Sequence, residues 1–297
     1  MNPKKALMVC GTGWSGSGAL IDLLAEYEGV VVRPDEFDLV RADGLIADFI
    51  RLGGRSKFFR AFFKVAVWSQ VKNIIKSFPV LNIKYGKRYK FTFTFMEMFL
   101  GLKFMLQLSF IKNYEGRLKY SKLFIDSIVS VYRGKNRLAV FDQGVFIEDV
   151  RGEVDELFSG FKMVYVVRNP DDQLEDLNGK SVQLFSGLPI KVRFVYGADN
   201  TKFALSYLAQ TIGRRLDCLL DNSEVVIRFE DLVQNYQVQK NKIEVLLELA
   251  SCRHSNQFKR FNPTISQKNI GKGERFKLVS PDILTVLREK TERIRCL

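Results

Sequence analysis

Short apolar runs alternate with longer segments of helical spacing along this chain. Ala6-Leu7-Met8-Val9-Cys10 is unbroken by any polar residue and is stopped by Gly11, the pattern of a parallel strand buried on both faces. Ala19 to Tyr27 follows with Leu20, Leu23, Leu24 and Tyr27 at helical steps. Val30-Val31-Val32 gives a second strand, Leu138-Ala139-Val140-Phe141 a third, Met163 to Val167 a fourth and Val225 to Phe229 a fifth. Helical spacing recurs before the fifth strand at Leu205, Leu208, Ile212, Leu216 and Leu219, and after it at Ile243, Leu246, Leu247 and Leu249. The alternation predicts an α/β fold with a mainly parallel central sheet flanked by helices.

The stretch from about 45 to 133 breaks this alternation and reads as a helical insertion on the sheet. Between Asp48 and Glu97 it holds eleven Lys or Arg and no acid, interleaved with Phe58, Phe59, Phe62, Phe63, Trp68, Phe78, Tyr85 and Tyr89. That run carries most of the formal net charge of +13 on 297 residues. It reads either as a solvated basic face over an ordinary helical core or, through residues 51–90, as a surface for an anionic acceptor or lipid headgroups. The longest apolar stretch, Phe91 to Ile111, carries Glu97, Lys103 and Gln107, which argues for a buried or interfacial helix rather than a bilayer span. With seven prolines, no repeat and no low-complexity tract, residues 1–297 read as one domain.

Composition removes several chemistries. The four cysteines, Cys10, Cys218, Cys252 and Cys296, form no CxxC pair, as expected for a reducing, cytoplasmic setting, peripheral to a membrane where the basic run reaches lipid. The apolar run Ala6 to Cys10 is far shorter than the core of a secretory signal. His254 is the single histidine, so zinc sites built on two or three imidazoles are excluded and no metal is expected. The basic surface would draw nucleic acid only through phosphate charge, so no specific nucleic-acid partner is expected.

Candidate chemistry begins at Gly11-Thr12-Gly13-Trp14-Ser15-Gly16-Ser17-Gly18-Ala19, between strand and helix. Small residues there let backbone N–H groups close around a phosphate at the positive helix end, or simply make a tight turn. Gly11, Gly13 and Gly16 satisfy GxGxxG, with Asp35 or Glu36 near the place of a ribose-binding acid. The Gly-Lys-Ser/Thr ending of a Walker A loop is missing, because Gly16 is followed by Ser17 and Gly18.

Three further segments narrow the choice. Val164-Tyr165-Val166-Val167-Arg168-Asn169-Pro170 places an arginine at the carboxyl end of a strand, where ligands of open α/β sheets collect. Val225-Val226-Ile227-Arg228-Phe229-Glu230-Asp231-Leu232 ends another strand in an acidic turn, and Lys268-Asn269-Ile270-Gly271-Lys272-Gly273-Glu274-Arg275 is a basic, glycine-bearing loop able to wrap a second anion.

With these motifs in order, the chain resembles the PAPS-dependent sulfotransferases over residues 5–40 and 160–295. The resemblance implies a P-loop NTPase-like sulfotransferase architecture and 3′-phosphoadenosine 5′-phosphosulfate as donor, with no metal. It assigns the 5′-phosphosulfate to Trp14, Ser15, Gly16, Ser17, Gly18 and Ala19, and the 3′-phosphate to Arg168 and to Lys268, Gly271, Lys272, Gly273 and Arg275. Two positions depart from the family pattern. Trp14 stands where the loop has a lysine or arginine, leaving Lys5, Lys268 or Arg275 to supply that cation. The 3′-phosphate serine falls on or near Asp176, an acid that repels phosphate unless it faces away, with Ser181 as a substitute.

The heparan sulfate branch of the family uses a glutamate just after the second strand as general base, and Pro34-Asp35-Glu36-Phe37-Asp38 stands at the matching distance. Glu36 is therefore the expected base. That role requires burial, or a neighbouring acid such as Asp35 or Asp38, to raise its pKa above about 4.3. Asp142, after the third strand, either orients an acceptor or caps a turn, His254 reads as a surface histidine and Cys10 as strand core. The expected activity is sulfuryl transfer to a hydroxyl of a carbohydrate or glycolipid. The alternatives are a Rossmann-type NAD or nucleotide-sugar enzyme, and a catalytically degenerate membrane-associated binding protein.

Overall fold

The structure, a computed structural model, describes residues 6–11, 15–37, 45–54, 56–63, 95–108, 111, 113–142, 156–178, 201–220, 225–275, 277–294 and 296. Five strands form a parallel sheet in the order β2-β3-β1-β4-β5: β1 (Ala6–Gly11), β2 (Val30–Glu36), β3 (Leu138–Asp142), β4 (Phe161–Val167) and β5 (Val225–Arg228). All six residues of β1 are buried, which is why its run contains no polar side chain. The α/β expectation holds. A dinucleotide-binding Rossmann sheet sets its second strand beside its first. Here β3 separates them, so Asp35 and Glu36 are not on the strand next to the glycine turn, and the NAD alternative loses its ribose acid.

By internal contacts the chain divides into two compact units, one of residues 1–8 and 29–162 and the other of residues 9–28 and 163–297. In the first, β2 runs parallel to β3, with Val30, Val31 and Val32 opposite Leu138, Ala139 and Val140. The strand continues past the expected Val32 to Glu36, with an irregularity before Glu36 pairs with Asp142. Pro34 is tolerated there because β2 is an edge strand with one side free of ladder bonds. Asp35 and Glu36 thus close a strand instead of opening a loop.

The described parts of the insertion are helical, as expected: α2 (Ile46–Leu52), residues 56–63, α3 (Phe95–Leu108) and α4 (Tyr114–Arg133). Residues 64–94, with most of the basic run, lie outside the described residues. The phenylalanines split by helical face. Phe58 and Phe62 are buried, with Phe58 packed against Phe49, Phe62 and Phe104, while Phe59 and Phe63 are exposed. The α3 helix is equally two-sided: Glu97 is fully buried and bonds Arg33 at 2.7 Å, whereas Met96, Phe99, Leu102 and Leu106 face outward. No helix among the described residues is long and apolar enough to cross a membrane.

In the second unit, β4 and β5 are parallel, with Val167 opposite Arg228. Around them lie α1 (Ser17–Leu24), α5 (Pro170–Asn178), α6 (Thr201–Leu220), α7 (Phe229–Gln234), α8 (Tyr236–Leu246), α9 (Pro263–Ser266) and α10 (Pro281–Arg293). The fifth strand ends one residue earlier than its apolar pattern predicts. Phe229 begins α7, whose first turn carries Glu230 and Asp231, where the positive helix end favours acids. Of the apolar positions read for α6, Leu205, Ile212, Leu216 and Leu219 are buried and Leu208 is half-buried.

His254 is not a surface residue. Its side chain is 9% exposed, its Nε2 lies 2.8 Å from the fully buried Glu26, and its ring stacks on Tyr27 at 4.4 Å. The Glu26 carboxylate also accepts the backbone N–H groups of Phe258, Arg260 and Phe261. Three backbone N–H groups and the His254 ring meet one buried carboxyl group, and together they pin the loop that leads into α9 and on to the basic glycine segment.

Candidate functional site

The glycine turn and the three other motifs of the resemblance all belong to the second unit. At the end of β1, Gly11 is required by contact: a Cβ there would lie 2.1 Å from the Ser15 hydroxyl oxygen. Ser15 is fully buried, and that hydroxyl has no hydrogen-bond partner among the described residues. An unmet buried hydroxyl costs free energy unless a ligand or water takes it up. Gly16 then turns the chain at φ 93°, a conformation open to glycine, and caps α1. Its α-carbon faces Phe229 so closely that a Cβ would lie 2.4 Å from the ring. Ser17 opens the helix and is buried, whereas Gly18 is exposed and has open space where a Cβ would point. Ala19 donates its N–H to the Gly16 carbonyl in the first turn. Trp14 and Lys5 lie outside the described residues.

Phe229 also meets the second motif. The Arg168 guanidinium lies 5.2 Å from its ring centre, a cation–π distance. One aromatic ring therefore carries the glycine turn against one part of its surface and Arg168 against another. The apolar-then-acidic ending of β5 concealed this role, because Phe229 read as the last core residue of a strand.

Arg168 directly follows β4 with its side chain 4% exposed. Asn169 caps α5 by accepting the Asp171 N–H at 2.9 Å, and Pro170 at the first helical position needs no hydrogen of its own. The Asn169 N–H is bound by Glu230. Burial, only partly offset by this bond and by Arg228 and Arg168, pushes the Glu230 carboxyl above its ordinary value.

The basic glycine loop folds onto α5 through two acids. Asp172 accepts the N–H groups of Gly271 at 2.8 Å and Gly273 at 2.7 Å. Gly273 has no room for a side chain, since a Cβ would sit 2.2 Å from the Asp171 backbone carbon. Asp176 does not face away from the cations. One of its oxygens accepts from Arg168 Nη1 at 2.6 Å and the other from Lys272 Nζ at 3.1 Å. Arg168 Nη2 donates to the Asn269 carbonyl, and Lys272 Nζ also reaches the Asn269 side-chain oxygen at 2.7 Å. Burial alone would raise the Asp176 carboxyl, but the bonds and charges of Arg168 and Lys272 outweigh it and hold the group below the usual carboxylate range.

These groups are the ones the resemblance gives to a 3′-phosphate, and each already holds an oxygen of the protein. The 5′ side fits an incoming anion, because the Ser15 hydroxyl and the α1 N-terminus lie together there. The 3′ side does not fit a phosphate as it stands. Lys268 is exposed on the same loop, and nothing is described of the Arg275 side chain or of Ser181. A cavity of about 300 Å³ beside the loop is lined by Asn169, Asp172, Glu230, Gly271 and the Asp171–Arg288 pair, which is bidentate at 2.6 and 2.8 Å. Three carboxylates against one guanidinium make it unsuited to a second phosphate.

Sequence reasoning missed Asp171, Asp172, Asn269 and Arg288. Asp171 and Asp172 were visible as acids in a first helical turn, but that pattern has an ordinary explanation in the helix dipole. Their partners lie about a hundred residues away in the chain.

In the first unit, Glu36 and Asp142 form a register pair at the carboxyl ends of β2 and β3, and the Asp142 carbonyl accepts the Phe37 N–H at 2.8 Å. Nothing is described of the Glu36 and Asp35 side chains, and Asp38 lies outside the described residues. Cys10 is buried in β1 as expected.

The structure is similar to the sulfotransferase domain from the Synechococcus PCC 7002 olefin synthase, with a TM-score of 0.50 and 15% identity, covering 98% of this chain and 94% of that one. The chain therefore has the fold of a sulfotransferase domain. No family model matches the sequence. No curated protein matches it either.

Proposed function

We propose that the chain is a sulfotransferase that moves a sulfuryl group from a nucleotide 5′-phosphosulfate to a hydroxyl of a carbohydrate or glycolipid. The observation that carries this reading is the Phe229 ring, in contact with both the Gly16 turn and Arg168, together with a buried Ser15 hydroxyl that has no partner among the described residues. The shared fold supports it, as do the four sequence motifs in their order. 3′-Phosphoadenosine 5′-phosphosulfate is the donor that the resemblance names, and its adenosine 5′-phosphosulfate end is the part these residues suit.

Each residue then has a role. The Ser15 hydroxyl and the N–H groups at the start of α1 hold the phosphate that leaves with the nucleotide. Glu36, at a strand end where ligands of such sheets gather, takes the proton of the acceptor hydroxyl. The new bond joins that hydroxyl oxygen to sulfur, and the bond broken is the one from sulfur to the bridging phosphate oxygen. Asp142, the register partner of Glu36, orients the acceptor. The outward face of α3, with Met96, Phe99, Leu102 and Leu106, together with the basic run before it, supports an acceptor carried at a membrane surface.

A labelled-sulfate transfer assay with the full chain tests the reading. Glu36→Gln is expected to lower turnover by about 10² to 10⁴ with nucleotide binding unchanged, the usual contribution of a general base. A thermal shift with NAD and none with adenosine 5′-monophosphate or adenosine 3′,5′-bisphosphate would reject the proposal.

A further inference from the structure

We infer that Asp176 is a specificity residue that turns this nucleotide site against a 3′-phosphate and toward a free ribose 3′-hydroxyl. The inference rests on the proposed nucleotide site and goes beyond it by naming the donor class: an adenosine 5′-phosphosulfate without the 3′-phosphate.

Donor accounting leads to it. A phosphate dianion needs cations and N–H groups with donor capacity to spare. Both terminal nitrogens of Arg168 are engaged, one by Asp176 and one by the Asn269 carbonyl. Lys272 Nζ is shared between Asp176 and the Asn269 side chain. The Gly271 and Gly273 N–H groups are held by Asp172. The Asp176 carboxylate sits in contact with both cations and offsets their pull on an incoming anion. A phosphate entering here would have to push aside a carboxylate in contact with both cations, at a separation where like charges repel strongly.

A hydroxyl meets the opposite situation. The Asp176 carboxylate accepts hydrogen bonds and donates none, and each oxygen has a second lone-pair direction beyond the bond it already makes. Its side chain is 23% exposed, which leaves it reachable. A ribose 3′-hydroxyl can donate to it without disturbing Arg168 or Lys272. Acids serve ribose hydroxyls by the same logic in dinucleotide folds.

The test is isothermal titration of the full chain, at one fixed low ionic strength, with adenosine 5′-monophosphate and adenosine 3′,5′-bisphosphate. The wild type is expected to bind the monophosphate at least as tightly as the bisphosphate. Asp176→Asn keeps the shape and removes the charge, and it is expected to tighten the bisphosphate tenfold or more and to weaken the monophosphate several-fold, because the charged acceptor of the 3′-hydroxyl is lost. Asp176→Ser, which shortens the side chain, should reverse the preference in the same direction and guards against a folding defect peculiar to one variant. A wild type that prefers the bisphosphate tenfold, with neither variant raising that ratio, overturns the inference and leaves the nucleotide site standing. No binding of either nucleotide to any of the three proteins overturns both.

Discussion

The Ser15–Gly18 turn and the Lys268–Gly273 loop are both short, glycine-bearing segments, yet their polar groups are met differently. In the turn, a buried serine hydroxyl has no partner among the described residues and Gly18 opens onto free space. In the loop, two backbone N–H groups and a lysine are all satisfied by acids of α5. The difference teaches that glycine and cation content marks where an anion could bind, whereas the neighbouring acids decide whether an external anion is wanted. A segment that has met its own counter-charge is part of the framework. A segment left unmet is where binding free energy remains to be gained.

The widest gap between the two regions is expected on removing the loop's clasp. Asp172→Ala strands the Gly271 and Gly273 N–H groups beside α5 and should destabilise the protein by about 2 to 4 kcal/mol, read by urea denaturation. A loss below about 0.5 kcal/mol would mean that the loop is held by something other than that carboxylate.

Within the turn, the glycines should separate. Gly16→Ala forces a side chain into the Phe229 ring at a positive φ and is expected to cost about 1 to 3 kcal/mol and to weaken nucleotide binding. Gly18→Ala meets no atom and should lie within about 0.5 kcal/mol of the wild type. Equal costs for both substitutions would dissolve the distinction drawn for this turn.

The smallest expected effect is in acid. Asp176 has a depressed pKa in the folded chain, so its contribution is present above the unfolded value of about 3.9 and is lost as pH falls through the folded one. Glu230 is shifted the other way: its contribution is present below its unfolded value and fades as pH rises through the folded one. Asp176→Asn should therefore flatten the loss of stability on the acid side, below about pH 4, and leave the neutral range unchanged in slope. Melting curves from pH 3 to 7 would read this, and an unchanged acid limb would show that Asp176 is not held by its two cations.

Much of the scaffold was legible in the chain. The unbroken apolar run of β1, Val164, Val166 and Val167 of β4 and Leu205, Leu216 and Leu219 of α6 stand in the burial they imply, whereas Val30, Val31 and Val32 on the edge strand β2 are only half-buried. Burial of a strand or helix face is a local property, written residue by residue as an apolar period. Element ends were less legible: β2 runs on to Glu36 and β5 stops before Phe229, because sheet-edge position and a helix's acidic first turn depend on neighbours elsewhere in the chain.

The site divides along the same line. The sequence by itself located the glycine turn, Arg168 and the Gly271-Lys272-Gly273 loop, since strand–turn–helix order and residue type suffice to place phosphate-binding chemistry. It also flagged Asp176 as out of place. Only the tertiary structure decided that Asp176 turns inward to bridge Arg168 and Lys272, that Asp172 satisfies the loop's N–H groups and that Glu26 buries His254. Each of those outcomes joins groups 8 to 228 residues apart. Electrostatic energy depends on separation in space, and separation in space is what a linear order of residues does not contain.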